Sequence, residues 1–248
     1  MDNYADAKKI LFQGAVKHRI LNVDDTYGKA WSQQWPDAIR FSVQQDLSAY
    51  SGAFLYCHDL NFDTGGFNCE LKTSWGEGTL RCGLIGEFNA SNVVAACASL
   101  LALGYDLDDL LQVAPKLTAV CGRMELFKQA GQAACVVDYA HTPDALEKAL
   151  QALRVHCEGK LWCIYGCGGD RDTGKRPIMA QVAEQFADMA VITDDNPRTE
   201  SASSIVADMK IGLANPDVMQ VIHDRRSAIH WAMEQSRADD IILVAGKG

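Results

Sequence analysis

Leu161-Trp162-Cys163-Ile164-Tyr165 and Met189-Ala190-Val191-Ile192-Thr193 are two short apolar runs, with a helix-like segment from about Pro177 to Phe186 between them. Each run has the length of a strand buried on both faces, so the unit reads as strand, helix, strand. The rhythm extends in both directions. Ala133 to Asp138 reads as a preceding strand, and Thr142 caps a helix with Pro143 in its first turn and Leu146, Ala149, Leu150 and Leu153 at helical spacing. Downstream come a helix from about Ser203 to Leu213, a strand at Val218 to Ile222, a helix from about Arg226 to Ser236 and a last strand at Ile241 to Val244. Five apolar strands alternating with four helices imply a parallel α/β sheet covered on both faces.

Residues before about 122 are patterned differently. Tyr4 to Phe12 reads as a short amphipathic helix, and Ile20-Leu21-Asn22-Val23 as a strand ending in Asp24-Asp25. Phe54 to Phe62 and Phe67 to Ile85 read as antiparallel strands, with a turn at Trp75-Gly76-Glu77-Gly78. A long helix follows from about Asn89 to Leu103, ending at Gly104, and a shorter one from Leu107 to Leu117. Val120-Cys121-Gly122 is the expected hinge, giving domains at 1–121 and 122–248.

Apolar residues make up 48% of the chain, charged residues 22%, and the net charge is -9, which disfavours nucleic acid or an anionic membrane as the main partner. No apolar run reaches the roughly 18 residues of a membrane helix. The start, Met1-Asp2-Asn3-Tyr4, has no signal-peptide core, so a cytoplasmic location is expected. Nine cysteines with no CxxC pair read as reduced thiols, and no Cys/His metal-ligand spacing is present.

The polar residues that follow the strands carry the chemistry. Asp195-Asn196-Pro197-Arg198 stands just past Thr193, at a strand's carboxyl end, where open α/β sheets bind ligands. Arg198 offers a planar fork to a carboxylate or phosphate, and Asp195 and Asn196 suit an ammonium group. One anion and one cation side by side describe an amino acid. Gly166 to Pro177 is a dense glycine-rich loop that reads as anion-binding. Its Gly169 to Lys175 spacing matches a phosphate loop, but Arg176 stands where the magnesium-binding hydroxyl belongs, so it is no true Walker A. His141, after Asp138, reads either as an acid-base or phosphate-binding group or as a structural histidine. Arg123 either reaches a ligand or makes a surface ion pair. Asn89 and Asn92 suit helix capping or a nucleobase edge, and Lys8 belongs to solvent.

These segments together resemble the Mur ligases, in their diaminopimelate-adding branch. The resemblance is carried by Tyr4 to Phe12, Leu21 to Asp25, Gly86 to Asn92, Cys121 to Glu125, Val136 to Leu150, Gly166 to Pro177, Asp194 to Glu200 and Val244 to Gly248. It implies part of a mixed-sheet central domain followed by a Rossmann-like ligase domain. It implies ATP-dependent addition of meso-diaminopimelate to UDP-MurNAc-L-Ala-D-Glu, with Mg²⁺, small-molecule substrates and a monomeric enzyme. By resemblance, Arg171, Asp195, Asn196, Arg198 and Gly246 would bind the amino acid, and Asn89, Asn92, Arg123, Asp138 and His141 would contact ATP. His141 and Lys8 would be catalytic, and Lys8 would become a carbamate that ligates Mg²⁺, which reverses its solvent reading.

No GxxxxGK[ST] motif occurs in the chain, and both ends read as cut, so the chain is expected to be inactive alone. Two other readings compete. One is an amino-acid or nucleotide binding module without catalysis. The other is a generic nucleotide-binding protein, against which the lack of GxGxxG after the first strand counts.

Overall fold

The computed structural model describes residues 2–216 and 219–247. It divides into two compact units. The first holds residues 1–62, 66–83 and 87–117, and the second holds 63–65, 84–86 and 118–248.

The first unit opens with α1 (Asp2–Gln13), then β1 (Ile20–Asn22), α2 (Thr26–Gln34), β2 (Ile39–Ser42), β3 (Phe54–Asp63), β4 (Gly66–Thr73), β5 (Gly76–Cys82), α3 (Glu87–Ala102) and α4 (Leu107–Val113). Its five strands lie in chain order, with β1, β2 and β3 parallel and β4 and β5 antiparallel. The α3 helix buries Ala90, Val93, Val94, Cys97, Ala98 and Leu101, an unbroken three-four stripe that seals it inward. Neither α2 nor β2 was apparent from the pattern. Asp25 caps α2 by accepting the Tyr27 and Gly28 amides, and only Gly28 and Ser32 of that helix are buried.

The second unit continues with β6 (Glu125–Phe127), β7 (Ala134–Asp138), α5 (Pro143–Arg154), β8 (Leu161–Tyr165), α6 (Lys175–Phe186), β9 (Met189–Ile192), α7 (Ala202–Lys210), β10 (Gln220–Val221), α8 (Arg225–Gln235) and β11 (Ile241–Ala245). The spatial order is β10-β9-β8-β11-β7-β6. Five strands run parallel, as the rhythm predicts, and β6 adds an antiparallel edge that the sequence reading lacked. Val218, in the expected fourth strand, lies outside the described residues.

Alternate strand residues serve opposite faces. Leu161, Cys163 and Tyr165 pack with Leu146, Leu150, Met179 and Ile205 from α5, α6 and α7. Trp162, Ile164, Ile242 and Val244 pack with Ala228 and Ala232 of α8. Apolar runs without polar alternation are the consequence of that double coverage. Thr142 caps α5 by accepting the Ala145 amide at 3.3 Å, with Pro143 at the first turn. All nine cysteines are free.

Candidate functional site

Four loops leave the carboxyl ends of β7, β8, β9 and β11 and meet over one cavity of about 580 Å³. Its walls include His141 from the first loop, Arg171 and Lys175 from the second, Asp195, Asn196 and Arg198 from the third, and Gly246 and Lys247 from the fourth. This is the crevice where open parallel sheets bind ligands. Every amino-acid-binding residue expected from the sequence is brought here: Arg171, Asp195, Asn196, Arg198 and Gly246. Cations and carboxylates converge on one small volume, as a zwitterionic ligand requires.

The second and third loops are joined along their length. The Gly169 amide donates to the Asn196 carbonyl at 2.9 Å, and the Arg198 Nη1 donates to the Gly169 carbonyl at 2.6 Å. The Thr199 hydroxyl and amide donate to the Asp170 carboxylate, at 2.7 and 3.1 Å. These bonds hold the Asp170 carboxyl below its usual range, the side-chain bond from Thr199 contributing most. Asp170 and Arg198 both adopt left-handed backbone, φ +52° and +51°, uncommon for non-glycine residues and held by the paired loops. A Cβ on Gly169 would collide with the Pro197 carbonyl, so only glycine permits this approach.

Arg176 fastens the pair from below. It is 1% exposed, and its guanidinium donates to both carboxylate oxygens of Glu200 at 2.7 and 2.8 Å and to Asp208 at 2.8 Å. Glu200 is thereby held down to about 2, the Arg176 bonds contributing most. Arg176 is thus a staple between loops, and sequence reasoning assigned it no such role.

Several of the loop's amides are already paired. Those of Gly169, Gly174 and Arg176 donate within the protein, to Asn196, Asp172 and Thr173. The cationic side chains on the cavity wall are those of Arg171, Lys175, Arg198 and Lys247. Lys175 Nζ donates to the His141 carbonyl at 2.7 Å, which ties the first loop to the second.

Asp195 accepts its neighbour's amide, from Asn196, at 2.6 Å and pairs with Lys247 Nζ at 3.3 Å. Gly246 has φ +97°, its amide donates to the Asp138 carbonyl at 3.0 Å, and Asp195 Oδ2 stands 3.6 Å from the position of a Cβ there. His141 donates from Nδ1 to the Tyr139 carbonyl at 2.8 Å.

The expected nucleotide residues fall in both units. Asp138 accepts the Met124 and Ala140 amides at 2.9 and 2.8 Å, so its carboxylate shapes the β7 end. Among the described residues Arg123 makes no ion pair, and its guanidinium sits 5.1 Å from the Tyr139 ring centroid. Asn89 and Asn92 belong to the first unit and lie inside α3, which begins at Glu87, so neither is a cap. Lys8 is exposed on α1. Among the described residues no group of three or more His, Cys, Asp or Glu is arranged to hold a metal ion.

Two domain models match this chain, the Mur ligase middle domain over residues 1–100 and the glutamate ligase domain of Mur ligases over residues 122–248. The chain belongs to the Mur ligase family. It is 51% identical over its whole length to the UDP-N-acetylmuramoyl-L-alanyl-D-glutamate--2,6-diaminopimelate ligase of Vibrio cholerae, covering 50% of that protein. It is 48% identical to the protein of the same name from Haemophilus influenzae, covering 51% of it. A solved structure of a ligase with that name superposes over all of this chain and 51% of its own, with TM-score 0.75 and 38% identity. A MurF structure from Acinetobacter baumannii, at 17% identity and TM-score 0.69, shares the fold. The chain spans about half the length of the curated relatives it matches. Within this Mur ligase chain, the four-loop cavity belongs to the segment that the glutamate ligase model covers.

Proposed function

We propose that this chain is the amino-acid-binding half of an ATP-dependent ligase that adds meso-diaminopimelate to UDP-MurNAc-L-Ala-D-Glu. The carrying observation is the cavity in which Arg171 and Arg198 stand beside Asp195 and Asn196. A ligand with an amine and a carboxylate at its far end satisfies both sets of groups. The names of relatives 48 and 51% identical to it support the same choice.

In this reading Arg198 and Arg171 clamp the distal carboxylate, Asp195 and Asn196 take the distal ammonium, and the Gly246 backbone touches the same ligand. The opposite amine then attacks a D-glutamyl acyl phosphate made with ATP, and phosphate leaves. What these residues supply is position: a held amine reacts as part of one molecule with its target. Asn89, Asn92, Arg123, Asp138 and His141 are the proposed ATP contacts, on family likeness. Lys8 is proposed as the carbamate for Mg²⁺ on the same ground, and no step here relies on that ion. The enzyme so read works in the cytoplasm on small molecules, as a monomer.

A charge-assisted clamp on a carboxylate contributes about 1.5–3 kcal/mol, roughly ten- to a hundredfold in affinity. Competition calorimetry of meso-diaminopimelate against L-lysine, which lacks the distal carboxylate, tests the assignment. A preference of that size is expected, and equal affinities would overturn it.

A further inference from the structure

Arg225 lies outside every role given so far. It is the first residue of α8, directly after the cap Asp224, whose carboxylate accepts the Ser227 amide at 2.7 Å. A cation is poorly placed there, because a helix presents its positive end at its first turn. The side chain turns back beneath the cavity. Its Nε donates to the Asp194 carbonyl at 3.2 Å, and its Nη1 donates to the Ala245 carbonyl at 2.9 Å. Its Nη2 is buried with no partner among the described residues.

The two carbonyls belong to strand ends that are not neighbours. Asp194 follows β9 and Ala245 ends β11, and β8 lies between those strands. No ladder bond therefore sets the distance between Asp195 and Gly246, which face each other across the cavity floor. A guanidinium is rigid and planar, so one group bonded at both ends fixes that separation. Its charge also lies close enough to Asp194 and Asp195 to attract both.

We propose that Arg225 is a positioning residue for the amino-acid pocket, a brace that holds the Asp195 and Gly246 walls at one spacing. This rests on the amino-acid reading of the cavity given above. Arg225 touches no ligand itself. Its effect passes through the backbone of residues 194–195 and 245–246.

Amide hydrogen exchange on the 248-residue chain tests the brace without any ligand. The Asp194 amide donates to the His223 carbonyl and the Gly246 amide to the Asp138 carbonyl, so both report on the braced ends. In Arg225→Ala, exchange at these two amides is expected to rise tenfold or more, with Val136 and Cys163, mid-strand in β7 and β8, unchanged. Arg225→Lys keeps the charge but not the fork, and is expected to restore protection at one end only. No rise at either amide overturns the brace. A uniform rise across the sheet in both variants also overturns it, since that is loss of stability alone. Calorimetry adds the second arm: the Kd for meso-diaminopimelate is expected to rise about tenfold in Arg225→Ala. If the unmodified chain binds no meso-diaminopimelate, the pocket's reading fails while the exchange result still judges the brace.

Discussion

Replacing Gly169 by alanine forces apart two of the four loops that form the cavity. The added Cβ meets the carbonyl carbon and oxygen of Pro197, which are backbone and cannot rotate away. Gly169 is itself bonded on both sides of the peptide, its amide to the Asn196 carbonyl and its carbonyl to Arg198 Nη1. Relief therefore costs contacts as well as strain. Overpacking costs about 1–3 kcal/mol and each lost hydrogen bond about 0.5–1.5 kcal/mol, so a loss of roughly 2–4 kcal/mol is expected. Because Arg198 is carried on the displaced loop, affinity for a carboxylate ligand falls with it. Urea denaturation followed by fluorescence measures the stability term. Gly14→Ala is the control, since a Cβ there meets only the Leu11 carbonyl at 4.0 Å, and a change within about 0.5 kcal/mol is expected. A Gly169→Ala variant that loses less than about 1 kcal/mol would refute the tight backbone approach of these loops.

Acid should loosen the same loops through Glu200. Its carboxyl is held from an ordinary 4.5 down to about 2 in the folded chain, chiefly by Arg176. A depressed folded value means the contribution is complete above about pH 4.5 and is lost as pH falls toward 2. Denaturation midpoints at pH 6, 4 and 3 are expected to fall, with a shallower fall in Glu200→Gln; identical slopes would contradict the pairing. In the core, Leu150→Ala empties a site of 0% exposure between α5 and the sheet, and a loss of about 2–5 kcal/mol is expected in urea. A loss under about 1 kcal/mol would mean that α5 is not seated there.

The second sheet was legible because β8, β9 and β11 are covered on both faces and so are written as continuous apolar runs. Its edge strand β6 was not, since Glu125-Leu126-Phe127 is short and at least partly exposed throughout. In the first unit, α2 turns only Gly28 and Ser32 inward and β2 carries Arg40 mid-strand, so neither shows an apolar period. The cavity's walls were legible at Asp195 to Arg198 because turn residues mark the strand's end. Its supports were not. Arg176 and Glu200 are 24 residues apart, Arg225 and Asp194 are 31 apart, and each reads alone as a surface charge. Only the fold brings an arginine beneath a loop and buries it. The resemblance supplied what no pattern could, the expected role of Lys8, which the residue pattern alone assigned to solvent.

In the proposed function this cavity holds the distal end of meso-diaminopimelate through Arg198. Calorimetric titration of meso-diaminopimelate into the chain and into Arg198→Ala decides whether it does. Saturable heat from the first and a ten- to hundredfold weaker isotherm from the second is the predicted result. No heat from the unmodified chain, or equal affinity in both, would contradict it.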